Sequence, residues 1–296
     1  MNTVGTGRNL RSFLMCMLPG FVILLLQNGA VVFCSQIYII WMFLNADGRS
    51  AGFGEDFARG ITSTGFLMGA SVLYAIIGIL VFSLWYRALN LSEITVSSDD
   101  DNHRIKKDTL RGYPPYLYFG MIIFAIAAQF VCGYVVVILA KMEPSWLADY
   151  EKLTNELVFS GGWVDILVAA YTIILGPVCE ELCFRAVTCK LCRRVMSARV
   201  TNIIQALFFG GMHANPIQSI YAFVFGYFLG MIYLETDNLL ITILIHILFN
   251  ACGMYFGEYI GTGAMPASFF AIFLCAMMAA YWGYCLIIKA ASQKKN

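Results

Sequence analysis

Three short runs concentrate the side chains that could do chemistry. The first is Glu180-Glu181 with Arg185 four residues beyond the second carboxylate, the second runs from Phe209 to His213, and the third from His246 to Asn250. Of 18 acidic residues, 15 fall in connecting segments; the exceptions are Asp165 and the Glu180–Glu181 pair. A charge near the middle of a membrane helix costs about 2.5–3.5 kcal/mol on insertion scales, and adjacent carboxylates repel. One compensation is an interfacial anchor, with Glu181 paired to Arg185 at i+4. The other is a reaction centre. Of three histidines, two lie in apolar runs, His213 and His246. A lone His in a helix bundle is a packing residue. Two of them with a carboxylate pair are the side chains of general acid–base chemistry in a polar cavity.

Spacing brings these groups together. Glu180 and His213 are 33 residues apart, with a basic turn near residues 193–199 between them, and His213 and His246 are again 33 apart. In a helical hairpin the first two come to similar depth. His246 lies about eight residues past a turn at Asn238, hence roughly 12 Å inward. Asn250 follows it at i+4, on the same helix face.

The elements that must position them are membrane helices. Residues of the set AVILMFWYC make up 60% of the 296, against roughly 45–50% in soluble chains. Charged residues are 12% and mean hydropathy is +0.74. That composition excludes a soluble enzyme and a disordered chain. A net charge of +1 without a basic stripe excludes a nucleic-acid partner. Membrane lipid is the expected surrounding. The expected fold is all-α, a polytopic membrane bundle of about eight transmembrane helices forming a single domain over 1–296. Uncharged runs place the spans at 13–44, 61–86, 116–140, 163–182, 200–213, 217–234, 239–255 and 267–288. A turn is expected near Pro19–Gly20. The first run is longer than a signal-peptide core, so no cleavable signal is expected. Fifteen basic residues fall on one side of this eight-span arrangement and four on the other, which puts both termini in the cytoplasm of a cell-membrane protein.

Other features read more plainly. The loop 96–111 carries Asp99, Asp100, Asp101, His103, Arg104, Lys106 and Lys107; a mixed solvated loop is expected rather than a metal site. Ten cysteines, many in apolar runs, are not a secreted disulfide framework. Cys179, Cys183, Cys189 and Cys192 are expected to be reduced. Gly210–Gly211 suits close helix packing.

Glu180-Glu181-Leu-Cys-Phe-Arg185 resembles the EExxxR motif of the CAAX-protease and bacteriocin-processing (CPBP, abortive-infection) family of intramembrane endopeptidases. Phe209-Gly-Gly-Met-His213 resembles its FxxxH motif, and His246-Ile-Leu-Phe-Asn250 its HxxxN motif. Order and separation also fit, over a catalytic core of about 160–255. The resemblance implies peptide-bond hydrolysis without a covalent intermediate. Glu180 is then the general base on water, assisted by His213. Glu181 and Arg185 orient and balance the pair, and His246 and Asn250 donate to the oxyanion. The substrate implied is a peptide or protein, lipid-linked or not. No cofactor is implied; a zinc variant would use Glu180, His213 and His246. The alternative reading is a non-enzymatic membrane protein acting in bacteriocin immunity or as a regulator or scaffold. A transporter is the third, although no inverted repeat is visible.

Overall fold

A computed structural model describes residues 4–45, 52–96, 108–155, 162–213, 215–261 and 268–295. The chain is an all-α helix bundle, and no strand occurs among the described residues. Apolar residues fill its helices for a simple reason. In lipid each backbone N–H and C=O needs a partner within its own segment.

The elements are α1 (Val4–Asn45), α2 (Phe53–Ile61), α3 (Thr64–Val96), α4 (Tyr116–Met142) and α5 (Pro144–Asn155). There follow α6 (Trp163–Arg193), α7 (Ala198–Gly211), α8 (Pro216–Thr236), α9 (Leu239–Gly261) and α10 (Phe269–Lys295). Among the described residues, six helices are long and apolar enough to cross a membrane: α1, α3, α4, α6, α8 and α10. Leu239–Tyr255 within α9 is a shorter apolar stretch, and α7 has 14 residues. These eight helices fall on the eight segments expected to span, six of them long and apolar enough to do so. The short α2 and α5 lie in segments expected to be plain connections.

Several boundaries differ from expectation; α3, for one, runs to Val96 rather than ending at 86. Helix α1 passes through Pro19 without the anticipated turn. Proline is tolerated within membrane helices, and the Cys183 thiol donates to Pro19 O at 3.5 Å. The span expected to end at 182 continues to Arg193. Every junction along it keeps right-handed helical dihedrals, as at Leu182 (φ −60, ψ −44) and Lys190 (φ −62, ψ −43). Of the charges that suggested an end, Arg185 is held inside and Lys190 is half-buried. The metal-or-loop question at Asp99–Asp101 and His103 lies outside the described residues.

Helices α6 and α8 sit deepest, with 44% of each span buried, against 11% for α10. Helices α7 and α8 form a hairpin at whose bend lies His213. Helix α7 ends at Gly211, so His213 sits in the turn beyond it rather than inside a span; its N–H donates to Gly210 O at 3.2 Å. Asn215 then caps α8, accepting Gln218 N–H at 3.1 Å, with Pro216 as the first helical residue. Asp237 closes α8 in the left-handed region (φ 48, ψ 42). The start of α9 is held from another part of the chain: Asp108 Oδ1 accepts Leu239 N–H at 2.9 Å, and Asn238 Nδ2 donates to Thr109 O at 2.9 Å. A carboxylate there also suits the positive end of the helix dipole. This clasp sets the register of the helix that carries His246.

Candidate active site

Helix α6 is not uniform. It contains two π-helical stretches, Ala170–Leu175 and Leu182–Cys189, around a short α-helical turn, Gly176–Glu181. Both carboxylates lie on that turn. Short π stretches inside α-helices are frequent at functional sites, because the widened turn redirects side chains and main-chain groups. In the second stretch Thr188 Oγ1 donates to Cys183 O at 2.9 Å.

The two adjacent carboxylates have different surroundings. Glu181 is fully buried, and its Oε1 lies 2.9 Å from Arg185 Nη1 and 2.9 Å from His246 Nδ1. Arg185, also fully buried, donates through Nη2 to Gly226 O at 3.2 Å, and its guanidinium stacks 4.5 Å from the centre of the Phe209 ring. Glu180 keeps 8% exposure. Its Oε2 stands 3.7 Å from His246 Nε2, within ion-pair reach but beyond a hydrogen bond. His246 thus lies between both carboxylates, one at each ring nitrogen. The Nδ1 beside the Glu181 carboxylate is the donor; in the neutral ring Nε2 then carries the lone pair.

Phe209 joins the second histidine to this group. Its ring meets His213 at 5.4 Å, His246 at 5.6 Å and Phe184 at 5.5 Å between centroids. His213 Nδ1 donates to Phe209 O at 2.8 Å, which leaves Nε2 as its free nitrogen. Glu180 and His246 are both close enough to act electrostatically on His213. Gly226 on α8 lets this happen, since a Cβ there would stand 2.6 Å from Phe209 Cδ1. Phe225 closes the other side of His246 at 5.3 Å and stacks on Phe249 at 3.8 Å.

Five of the six candidates therefore assemble: Glu180, Glu181, Arg185 and His246 by direct contact, and His213 through Phe209. Asn250 goes elsewhere, its Nδ2 donating to Thr172 O at 2.8 Å. Sequence reasoning missed the Phe209 ring as a centre, although it quoted the residue. It also missed Gly226 and Thr172. From α3, Tyr74 stands near enough to Glu180 to feel its charge, as does Tyr171, and the Tyr74 hydroxyl is buried without a hydrogen-bond partner. Nothing in the sequence of α3 marks that tyrosine. Among the described residues no three His, Cys, Asp or Glu side chains are grouped so as to hold a metal ion, Glu180, His213 and His246 included. The cysteines on α6 are free thiols.

Fold and site together define a polytopic helical membrane protein with a buried Glu–Arg–His cluster at its centre. Over the segment that carries the cluster, residues 162–252 match the family model described as type II CAAX prenyl endopeptidase Rce1-like. All six candidates fall within the match, whereas α1–α5 and α10 lie outside it. No curated protein and no solved structure matches the chain.

Proposed function

We propose that the protein is an intramembrane endopeptidase of CAAX-protease type that hydrolyses a peptide bond with water activated by Glu180. The observation that carries this reading is the contrast between the two carboxylates. Glu181 is fully buried, with Arg185 and His246 both held on its Oε1; Glu180 beside it keeps 8% exposure and stands beyond hydrogen-bond distance of His246. A base needs that freedom.

In the proposed reaction Glu180 takes a proton from water, and the oxygen attacks the scissile carbonyl carbon. The carbonyl π bond becomes an oxyanion. Collapse breaks the C–N bond, and the proton passes from Glu180 to the leaving amine, which restores the carboxylate. His213, with Nε2 free, assists the proton movement. Glu181 and Arg185 fix His246. An imidazolium there would bring two carboxylates, one guanidinium and one imidazole to zero net charge, which suits a low-dielectric site. Its Nε2–H would then donate to the oxyanion. Asn250 keeps a second amide hydrogen for the same purpose.

The substrate class is a peptide or protein presented at or within lipid. The matched family description names prenyl substrates; a lipid-linked peptide is one form this substrate can take. The whole of 1–296 is proposed as one membrane domain around the 160–255 core, with both termini cytoplasmic. Comparative proteomics of membrane peptides from cells carrying the wild-type protein or Glu180→Gln tests the reading. Peptides that accumulate uncut in the variant, at equal protein abundance, are the expected result. Identical peptide profiles and full biological function in the variant would overturn it in favour of a scaffold or immunity role.

A further inference from the structure

The first π stretch of α6 stops where its next donor is missing. The π stretch Ala170–Leu175 closes with Gly176 N–H on Tyr171 O, five residues back. The next step in that register would bring residue 177 to Thr172 O. Residue 177 is Pro177 and has no N–H. An α-helical register would use Gly176 N–H, already bonded to Tyr171 O. Thr172 O is thereby left without a donor from its own helix, and in a membrane helix a carbonyl without a partner is destabilising. Asn250 Nδ2, arriving from α9, donates to it at 2.8 Å.

We infer that Asn250 is a positioning residue for Glu180: its side-chain amide stands in for the N–H that Pro177 lacks and locks the change of helical register in α6. Helix α9 then grips α6 at two levels, one turn apart on α9 and nine residues apart on α6, through His246 on Glu181 and through Asn250 on Thr172. Glu180 sits on the turn between, three residues past Pro177. This role rests on the reading of Glu180 as the base and is additional to any direct contact of Asn250 with substrate. A small error in the placement of a catalytic group can cost about 10²-fold in rate.

The test is a double-mutant cycle on full-length protein in detergent: wild type, Asn250→Ala, Pro177→Ala and the pair, each assayed for turnover and melting temperature. In Pro177→Ala residue 177 regains an N–H that can reach Thr172 O. Asn250→Ala is expected to lower kcat by about 10²-fold with KM little changed, and Tm by about 4 °C. Pro177→Ala alone should stay near wild type, because Asn250 still holds the carbonyl. The pair should regain at least about tenfold in kcat and half of the lost Tm. A pair no better than Asn250→Ala overturns the inference, and so does recovery of Tm without kcat, which assigns the whole effect to a direct donor. Should Asn250→Ala fail to insert, Asn250→Asp, which keeps the shape and loses the donor, replaces it in the cycle. If wild type and Glu180→Gln prove equally inactive, the peptidase reading fails. The Tm arm then still decides whether Asn250 replaces the missing N–H.

Discussion

Glu181 and His246, 65 residues apart in the chain, meet at 2.9 Å through Oε1 and Nδ1 in the fully enclosed centre of the bundle. Arg185 approaches the same oxygen at 2.9 Å. Removing one member of such a buried pair strands the others, at a cost of about 3–5 kcal/mol. Glu181→Ala is expected to lower abundance and melting temperature sharply, as read by fluorescence-detected size exclusion and thermal ramping in detergent. A normally folded Glu181→Ala would show that Arg185 finds another partner.

Glu180→Gln should behave in the opposite way. The variant keeps size and hydrogen bonding at a position with residual access, so folding and insertion should be unchanged. Turnover should fall by about 10²–10⁴-fold, the usual contribution of a general base. His213→Ala should do nearly the same. Measurable wild-type turnover in purified Glu180→Gln would remove Glu180 from the base role.

Gly226→Ala tests the Phe209 arrangement. The added methyl would meet Phe209 Cδ1 at 2.6 Å, and Gly226 O also receives Arg185 and Gln205 Nε2. Overpacking of this kind typically costs about 1–3 kcal/mol. Because Phe209 touches both histidines, kcat should fall by more than the stability loss alone explains. A variant with normal kcat would mean that α7 and α8 separate without disturbing the rings.

Topology is open to direct measurement. Arg185 is buried in the core and does not report on orientation, so the basic partition becomes 14 against four. Reporter fusions at the C-terminus and in the 141–162 connection should report opposite sides, with the C-terminus inside. An external C-terminus would reverse the orientation or remove a span.

That Glu180 and His246 come close, with the Phe209 ring between His246 and His213, was legible because near-equal spacings about short turns bring residues to similar depth. The run of α6 to Arg193 was not. Hydropathy treats Arg185 and Lys190 as solvent-seeking, but Arg185 is neutralised by Glu181, and Lys190 lies over the Tyr86 ring at 5.3 Å. His213 was placed inside a span because Met212 and His213 extend an apolar run; Pro216 and the Asn215 cap decide instead that the chain turns there. The Asn250–Thr172 bond depends on a change of helical register, and residue type alone carries no sign of which carbonyl a π turn leaves over. The aromatic packing around Phe209 depends on Gly226, a residue from another helix.

The unbroken course of α6 has a consequence for the membrane around it. At α-helical rise its 31 residues would span about 46 Å, less the shortening of its two π stretches, against about 30 Å of hydrocarbon. A rod that much longer than its solvent is accommodated by tilt or by local thickening of the bilayer. Glu180 is carried on that rod without a hinge to decouple it, so its depth is tied to bilayer thickness. Lipid chain length thereby becomes a determinant of where along a spanning or lipid-tethered peptide the carboxylate stands.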